Sequence, residues 1–520
     1  MSSVAVPALS SSRPPARRRR WPRVLTVAAV LVLVPLLGAA GLVTTVWVRA
    51  DVQQTEGTDF TRPLAIPPLA PSRLDERGRR VFMLTAQQGR TDFGRTDGGS
   101  GHTETWGIDG SYLGPTLRAT RGEQVVVHVR NTLGEPTSLH WHGMHLPARM
   151  DGGPHQSIAQ GATWSPTWRI DQPAATLWYH PHLHGETARQ VYRGLAGMFI
   201  LDDDASGVLP LPRTYGVDDL PVIVQDKSFS GNGQLNHGGP LVSPTGFRGR
   251  TMLVNGVVTP HVDVRTERVR LRLLNASDAR VYDFGLDDGS AFDLVGTDGG
   301  LLEAPVTSRR VQLSPGERAE VVVTLRPGEH RVLRSFPPEL GADFFNERFN
   351  GGDDTFDLMQ LRAADALRPS PAVPARLVPA PDLKESAVAR TREFRLSGTD
   401  INGRGIDMTR VDEVATVGDT EVWKVSNDGG TPHSFHVHDV QFRVLDIDGQ
   451  RPQGHLGGWK DTVYVAPGRT VRLLLRFADY TDPAVPYMFH CHLLRHEDNG
   501  MMGQFVVVRP GEQPSLAHQH

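Results

Sequence analysis

Beyond about residue 75 the chain is a succession of short β-type runs separated by turns, and this pattern limits the possible folds more than any other feature. The runs are rich in Val, Leu or Arg and have strand lengths. Examples are Gln124–Val129, Val269–Leu274, Glu320–Leu325 and Thr470–Phe477. Gly, Asp-Gly and Pro turns separate them, and no long stretch after residue 60 has a convincing helical period. The pattern predicts an all-β protein built from sandwiches.

Two breaks divide this region into three predicted domains. The first is the Asp- and Pro-rich segment 202–221, and the second is 363–382, which is also rich in proline. A length of 520 residues at ~150 residues per domain also favours three. The predicted division is 75–203, 204–366 and 380–510, with a linker at 367–379 and a tail at 511–520. Residues 51–74 are polar and Pro-rich and are predicted to form a stalk.

The first fifty residues predict an exported protein. They carry seven arginines and no acidic residue, and no charged residue lies between Val24 and Val48. As a helix of ~1.5 Å rise per residue this run spans about 37 Å, enough for a hydrocarbon core of about 30 Å. The arginines before it place the bulk of the chain on the extracytoplasmic side. Residues 1–50 are therefore predicted to be a cytoplasmic basic tail and a transmembrane anchor that contacts the membrane through residues 24–48. The alternative is a signal peptide cleaved after Gly38-Ala39-Ala40, which would leave the protein secreted.

The net charge and the cysteine content exclude a nucleic-acid-binding protein and an internal disulfide. The net charge is -3 and the isoelectric point is near 6.7, so the chain lacks the basic surface that a nucleic-acid-binding protein needs. Cys491 is the only cysteine, so the chain forms no internal disulfide, although an exported protein of this size could use several.

Eight of the 21 histidines form four His-x-His pairs, which are the main chemical signal in the sequence. The pairs are His140/His142, His180/His182, His436/His438 and His490/His492. In a strand, residues i and i+2 lie on one face about 6.5 Å apart, so each pair offers two neighbouring imidazoles. Two pairs lie in the first predicted domain and two in the third, and docking of these domains would bring eight imidazoles together. Imidazole suits zinc, copper, iron and nickel alike, so the pairs alone do not identify the metal.

The segment around Cys491 narrows the choice of metal. His490 and His492 flank this cysteine, and His496 and Met501 follow it. A thiolate, two imidazoles and a thioether are the ligands of a blue-copper electron-transfer site, for which His433 is available as the second imidazole. Strand alternation points Cys491 away from its two neighbours, so the Cys-His peptide would connect this site to the histidine cluster.

Four motifs carry a resemblance to a known family. They are His140-Trp141-His142-Gly143, His180-Pro181-His182-Leu183-His184-Gly185, His433-Ser434-Phe435-His436-Val437-His438 and the segment from His490 through Met501. They resemble the four copper signatures of the multicopper oxidases. The likeness covers about residues 75–510 and is greatest to the laccase, bacterial copper-efflux oxidase and bilirubin oxidase branch. It implies three consecutive cupredoxin-like Greek-key β-sandwich domains after the N-terminal transmembrane or signal segment.

The resemblance also implies four copper ions and assigns their ligands. A type 1 copper would take His433, Cys491, His496 and Met501. A type 2 copper would take His140 and His436. A type 3 pair would take His142, His180, His182, His438, His490 and His492. Asp151 resembles the acidic residue near the type 2 copper of this family, and Glu497 resembles its proton-delivery glutamate.

The activity implied by the resemblance couples one-electron oxidations of a reducing substrate to the reduction of dioxygen to two waters. Copper-efflux oxidases carry a Met-rich segment over the type 1 site, whereas this chain has eleven methionines and no such segment. Laccase-like oxidation of phenols and other small organics is therefore expected, and oxidation of Cu(I), Fe(II) or Mn(II) is the alternative. Two remote alternatives are a non-catalytic cupredoxin scaffold, which would be expected to lose ligands, and a copper nitrite reductase, which needs no His-Cys-His motif.

Three other features complete the predictions. The middle domain contains none of these ligands and is expected to act in spacing and docking. His184 is expected to pack beside the ligands without binding metal. Asp353, Asp354 and Asp357 are expected to lie in a solvated loop, with contact to a substrate metal ion as the alternative.

Overall fold

The computed structural model describes residues 51–515 except 56, 95–100, 239–244 and 381, together with scattered positions before residue 51. The predicted anchor at 24–48 lies mostly outside the described residues. Among those that are described, no helix is both long enough and apolar enough to cross a membrane.

After strand β1 (Gln53–Gln54), the first part of the chain builds two sheets. One sheet contains β2 (Ser72–Leu74), β3 (Arg80–Thr91), β4 (Thr103–Ile108), β6 (Gln124–Asn131), β8 (Thr163–Trp164) and β9 (Thr167–Arg169). The other contains β5 (Leu117–Thr120), β7 (His140–His142), β10 (Ala175–His180) and β11 (Gly197–Asp202), in the order β5-β11-β10-β7. Helix α1 spans Thr187–Arg193, between β10 and β11.

The middle part of the chain builds a second pair of sheets. The larger runs β14-β13-β12-β16-β21-β18-β19, with strands β12 (Asp219–Lys227), β13 (Thr251–Val254), β14 (Val257–Val258), β16 (Arg268–Asn275), β18 (Phe292–Thr297), β19 (Gly300–Ser308) and β21 (Arg318–Thr324). The other joins β1 to β15 (His261–Thr266), β17 (Tyr282–Leu286), β20 (Val311–Leu313), β22 (His330–Phe336) and β23 (Thr355–Arg368). Two short helices are α2 (Asp204–Gly207) and α3 (Phe344–Phe349).

The last part of the chain builds a third pair. One sheet has the order β25-β24-β27-β32-β29-β30, with strands β24 (Val388–Ser397), β25 (Asp400–Ile401), β27 (Thr420–Asn427), β29 (Phe442–Ile447), β30 (Trp459–Lys460) and β32 (Thr470–Arg476). The other has the order β26-β34-β33-β28-β31, with strands β26 (Glu413–Thr416), β28 (His433–Val437), β31 (Thr462–Val465), β33 (Tyr487–Cys491) and β34 (Met502–Val508). Helix α4 (Leu494–Asp498) lies between β33 and β34.

The prediction of an all-β fold is confirmed, and all four example runs coincide with strands, although Leu325 and Phe477 lie one residue beyond the ends of theirs. Each pair of sheets encloses its own apolar core, because residues on one face of each strand point inward. In β24, for example, Phe394 and Leu396 are buried while Arg395 between them is exposed. We call the three pairs of sheets the first, middle and third sandwiches. This grouping supports the division into three domains, whose boundaries stay a prediction.

Residues 51–74 differ from the free stalk predicted for them. β1 pairs in parallel with β23 of the middle sandwich, and β2 pairs with β3 of the first. Between these strands, Leu64 donates its backbone N–H to the carbonyl of His261 at 2.6 Å. Val52, Phe60 and Leu64 are buried, so their apolar side chains hold the segment against the sandwiches despite its many prolines.

Candidate metal centre

Strand pairing brings the histidine pairs side by side within each sandwich. In the first sandwich β7 and β10 are antiparallel, and His140 lies opposite His180. In the third, β28 and β33 are antiparallel, and His436 lies opposite His490. The other member of each pair is two residues further along the chain, with ring centroids 5.0 to 6.2 Å from the first. All eight of these histidines are buried.

The first and third sandwiches meet at these histidines. The His142 and His436 rings are stacked with centroids 3.8 Å apart, and the His140 and His438 rings are stacked at 3.9 Å. Each stacked pair contains one ring from either sandwich. The four pairs therefore form one buried cluster at the junction, as docking of the two domains was predicted to achieve.

Three rings of the cluster converge on one point. His490 Nε2 lies 3.1 Å from His182 Nε2 and 3.2 Å from His438 Nε2. These three nitrogens are close enough together to bind a single metal ion. Converging imidazole nitrogens suit a transition-metal ion such as zinc, copper, iron or nickel.

The remaining rings leave nitrogen atoms without partners. His142 Nδ1 lies 3.4 Å from His180 Nε2. Within the part of the chain that is described, His140 Nε2, His436 Nε2 and both ring nitrogens of His492 have no hydrogen-bond partner. Buried polar atoms are normally hydrogen-bonded, so such a concentration of orphaned nitrogens fits a site built for metal ions.

Two carboxylates hold several of these rings from outside the cluster. Asp151 accepts hydrogen bonds from His140 Nδ1 through its backbone carbonyl at 3.0 Å and from His438 Nδ1 through Oδ2 at 2.7 Å. The carboxylate oxygens of Glu497 lie 3.2 Å from the Nδ1 atoms of His182 and His490. A hydrogen bond like the two that Asp151 accepts fixes the tautomer and orientation of a metal-binding histidine.

Burial determines the protonation of six rings of the cluster. Burial, reinforced by the neighbouring imidazoles, lowers the pKa of His180 and His438 to about 3 and lowers the pKa of His142, His182, His436 and His492 as well. These rings are therefore neutral, which is the form that binds metal. Burial by itself raises the pKa of Asp151 and Glu497. The adjacent histidines lower it by more than burial raises it, so both pKa values are below their usual range.

A second group of candidate ligand residues surrounds Cys491, which faces away from the histidine cluster. Cys491 Sγ lies 3.5 Å from His433 Nδ1 and 3.6 Å from His496 Nδ1. Met501 is buried in the same core, and its carbonyl accepts the backbone N–H of Cys491 at 3.1 Å. Burial raises the pKa of the Cys491 thiol to about 12, so a cation is needed to hold it as a thiolate at neutral pH.

Sequence reasoning missed the residues that contact the cluster from the middle and third sandwiches. Asp461 and Thr462 at the start of β31 both contact His142 Nε2 at 3.0 Å, and Arg318 of β21 forms a bidentate ion pair with Asp461. The available signal was the adjacent charges Lys460-Asp461 directly before the apolar run Val463–Val465.

The middle sandwich also lines the cluster directly. Gly316 has a φ of +88°, and a Cβ at this position would lie 3.0 Å from the His492 ring. The Ser314 hydroxyl lies 2.8 Å from the Ser434 hydroxyl of the third sandwich. The middle sandwich therefore packs against the ligands as well as against the other sandwiches.

Two predictions about neighbouring residues are wrong. His184 is exposed and does not pack beside the ligands, because the chain turns outward after His182. Of the three acidic residues after α3, Asp353 is partly exposed and pairs with Arg348, but the other two do not lie in a solvated loop. Asp354 is buried in an ion pair with Arg280, and Asp357 is paired with Arg334.

Comparisons with known proteins agree with this geometry. Two family models described as multicopper oxidase match residues 94–206 and 375–511. Multicopper oxidase mco of Staphylococcus haemolyticus is 33% identical over 86% of this chain and 92% of its own length. The cell division protein FtsP of Salmonella typhimurium is 38% identical over 86% of this chain and 93% of its own length. A laccase from Pediococcus acidilactici superposes with a TM-score of 0.79 at 34% identity, covering 88% of this chain and 96% of the laccase.

Three cupredoxin-like sandwiches around a buried histidine and cysteine centre define a class of copper oxidoreductases. The chain belongs to the multicopper oxidase family. As a member it binds copper, takes electrons from a reducing substrate and uses dioxygen as the acceptor.

Proposed function

We propose that the chain oxidises phenols or other small organic reductants and uses the electrons to reduce dioxygen to two waters. Two groups of residues would hold four copper ions. His433, Cys491, His496 and Met501 would hold a type 1 copper. His140 and His436 would hold a type 2 copper. His142, His180, His182, His438, His490 and His492 would hold a type 3 pair.

One observation carries this proposal. Cys491 faces His433 and His496, while the residue before it, His490, directs its Nε2 toward His182 and His438. Adjacent residues of one strand thus serve two separate ligand groups, and a single peptide bond joins them. When bound, copper supplies one-electron redox chemistry, so this geometry suits electron transfer from the cysteine site to the histidine cluster.

The protein's own residues would supply the protons of the reaction. Reduction of one dioxygen to two waters consumes four electrons and four protons. Two of the carboxylates that contact the cluster are Asp151, which lies near His140 and His438, and Glu497, which lies near His182 and His490. We assign to both carboxylates the passage of protons toward the cluster.

The choice of substrate rests on the composition of the chain and on its resemblance to laccases. The chain has only eleven methionines, and Met359 and Met408 are isolated in the sequence. A Met-rich binding surface for Cu(I) is therefore missing from the sequence, which favours organic reductants over metal ions.

Copper loading of the full chain tests the proposal. We expect four copper ions per chain, an intense visible absorption band from the Cys491 thiolate and oxygen uptake with a phenolic reductant without peroxide release. Cys491→Ser should lose the visible band and the oxidase activity. If the protein oxidises Cu(I), Fe(II) or Mn(II) but not phenols, metal ions replace organic reductants as the substrate class. A protein that stays colourless and inert after copper loading would overturn the proposal.

We further propose that the chain is exported and acts at the extracytoplasmic face of the membrane, or as a secreted protein if the N-terminal segment is cleaved. The arginines before residue 24 and the uncharged run 24–48 support this location. Fractionation of cells that express the full chain, with mass determination of its N-terminus, tests it.

A further inference from the structure

His142 is oriented differently from the other rings of the cluster. His180, His182, His438 and His490 all turn Nε2 toward a neighbouring ring. His142 instead turns Nδ1 toward His180, while its Nε2 points away and contacts the third sandwich. For Nδ1 to bind a metal, the proton of the neutral ring must be on Nε2.

Two residues of the third sandwich favour this tautomer. Asp461 Oδ1 lies 3.0 Å from His142 Nε2 and accepts a hydrogen bond from it, because a carboxylate is an acceptor only. The Thr462 hydroxyl donates to the same Asp461 oxygen at 2.9 Å and lies 3.0 Å from His142 Nε2. Both contacts therefore favour a protonated Nε2.

The middle sandwich holds Asp461 in place through Arg318. Arg318 donates to the two Asp461 carboxylate oxygens at 2.7 and 2.6 Å. Its other N–H groups donate to the carbonyls of Thr176, Gly316 and Asp298 at 2.9 to 3.0 Å. All five donors of the guanidinium are thus used, and the group is fully buried.

This arrangement connects all three sandwiches to His142, and the Asp461 carbonyl and Thr462 hydroxyl also lie 2.8 and 3.1 Å from His436 Nδ1. Thr176 belongs to β10, the strand that ends at His180, while Arg318 belongs to the middle sandwich and Asp461 to the third. Gly143, directly after His142, has a φ of +83°, and a Cβ there would lie 2.4 Å from Asp461 Oδ2 and 2.7 Å from Arg318 Nη2. The backbone after His142 therefore packs directly on the ion pair.

We propose that the Arg318–Asp461 pair and Thr462 are positioning residues that present His142 Nδ1 to the metal, so that the middle sandwich controls copper binding at the cluster without supplying a ligand. This inference rests on the proposed function, because it takes His142 as a copper ligand. Loss of such an outer hydrogen bond typically lowers metal affinity by ~10–100-fold.

Asp461→Asn in the full chain is the direct test, because the amide has the same size but can offer a donor to His142 Nε2. We expect copper at the cysteine site and its visible band to be retained. Copper affinity at the cluster, measured by chelator competition, should fall by ~10–100-fold, with loss of the near-ultraviolet absorption of the type 3 pair. Arg318→Lys should give a smaller loss, because one charged hydrogen bond can remain.

Asp219→Asn is the matched control. Asp219 is equally buried and accepts a bidentate ion pair from Arg272 at 2.7 and 3.0 Å, but it has no hydrogen bond to a histidine. The Asp219→Asn substitution should destabilise the fold while leaving the copper affinity of the cluster unchanged. Thr462→Val and Thr462→Ser form a second pair: valine should weaken the cluster and serine should restore it.

The outcomes separate this inference from the proposed function. If the unmodified chain binds no copper at the cluster, the proposed function fails. If it does, and Asp461→Asn and Thr462→Val keep the affinity of the unmodified chain, the positioning role is overturned. An equal loss in Asp461→Asn and Asp219→Asn also overturns it, because a general loss of packing would then explain both. If Asp461→Asn does not fold, the threonine pair decides.

Discussion

At the scale of single residues, neighbours in the sequence serve different ligand groups. His496 and Glu497 are adjacent in α4, where successive side chains point about 100° apart. His496 Nδ1 therefore lies near Cys491, while the Glu497 carboxylate lies between His182 and His490. A spacing of one residue thus places a ligand of one group beside a carboxylate that contacts the other.

Glu497→Gln tests the role of this carboxylate. Glutamine keeps the shape but cannot carry a proton and offers one acceptor to two Nδ1 atoms. We expect oxygen reduction to slow by ~10–100-fold while the visible band of the cysteine site stays unchanged. Oxygen uptake and absorption spectra of the copper-loaded variant provide the measurement. An unchanged rate would show that protons reach the cluster without Glu497.

At the scale of elements, turns place the residues that support the ligands. The 3-10 turn Ala148–Met150 leads into Asp151 and Gly152, which has a φ of +77°. A Cβ on Gly152 would lie only 1.9 Å from the backbone carbonyl oxygen of Leu139, the residue before His140. The close approach of this turn to β7 allows Asp151 to reach both His140 and His438.

Replacement of this glycine should disturb both the fold and the site. A left-handed conformation costs an alanine about 1–2 kcal/mol, and at Gly152 the clash with backbone adds to that cost. Gly161 is the control, because it has the same φ of +77° but no atom within 4 Å of the added Cβ. We expect Gly152→Ala to lower the free energy of unfolding more than Gly161→Ala and to slow oxygen reduction. Equal losses in denaturant unfolding would contradict this.

At the scale of the whole molecule, charged contacts join the sandwiches. His145 of the first sandwich lies between two carboxylates of the third, with Nδ1 2.8 Å from Asp439 and Nε2 2.7 Å from Asp479. Burial by itself lowers the pKa of His145. The two carboxylates raise it by more than burial lowers it, to about 10.

A pH series tests this contact between sandwiches. Because the folded pKa is above the ordinary value of 6.5, protonated His145 contributes stability that is fully present below about pH 6.5 and is lost as the pH rises through about 10. The difference in unfolding free energy between the unmodified chain and His145→Gln should therefore be greatest near about pH 6 and shrink toward about pH 10. A difference that grows with pH would contradict the assignment.

Removal of copper should loosen the same junction. Rings from the first and third sandwiches alternate in the cluster, so a bound ion stabilises only the docked state. A ligand at a thousandfold excess over its dissociation constant stabilises a fold by about 4 kcal/mol. We therefore expect chelation to lower the thermal midpoint and re-addition of copper to restore it. Equal midpoints with and without copper would show that docking does not depend on the metal.

The sequence by itself determined the features that depend on short spacing. The spacing of two kept the rings of each His-x-His pair 5.0 to 6.2 Å apart, although His182, His438 and His492 lie just beyond the ends of their strands. The alternation around Cys491 separated the two ligand groups. The three sandwiches followed from strand-length runs between turns. Only the tertiary structure decided which rings converge, that residues 51–74 pair with the sandwiches, and that Arg318 and Asp461 hold His142. The reason is physical: local periodicity is encoded within a few residues, whereas a contact between positions 143 residues apart, such as Arg318 and Asp461, exists only after docking.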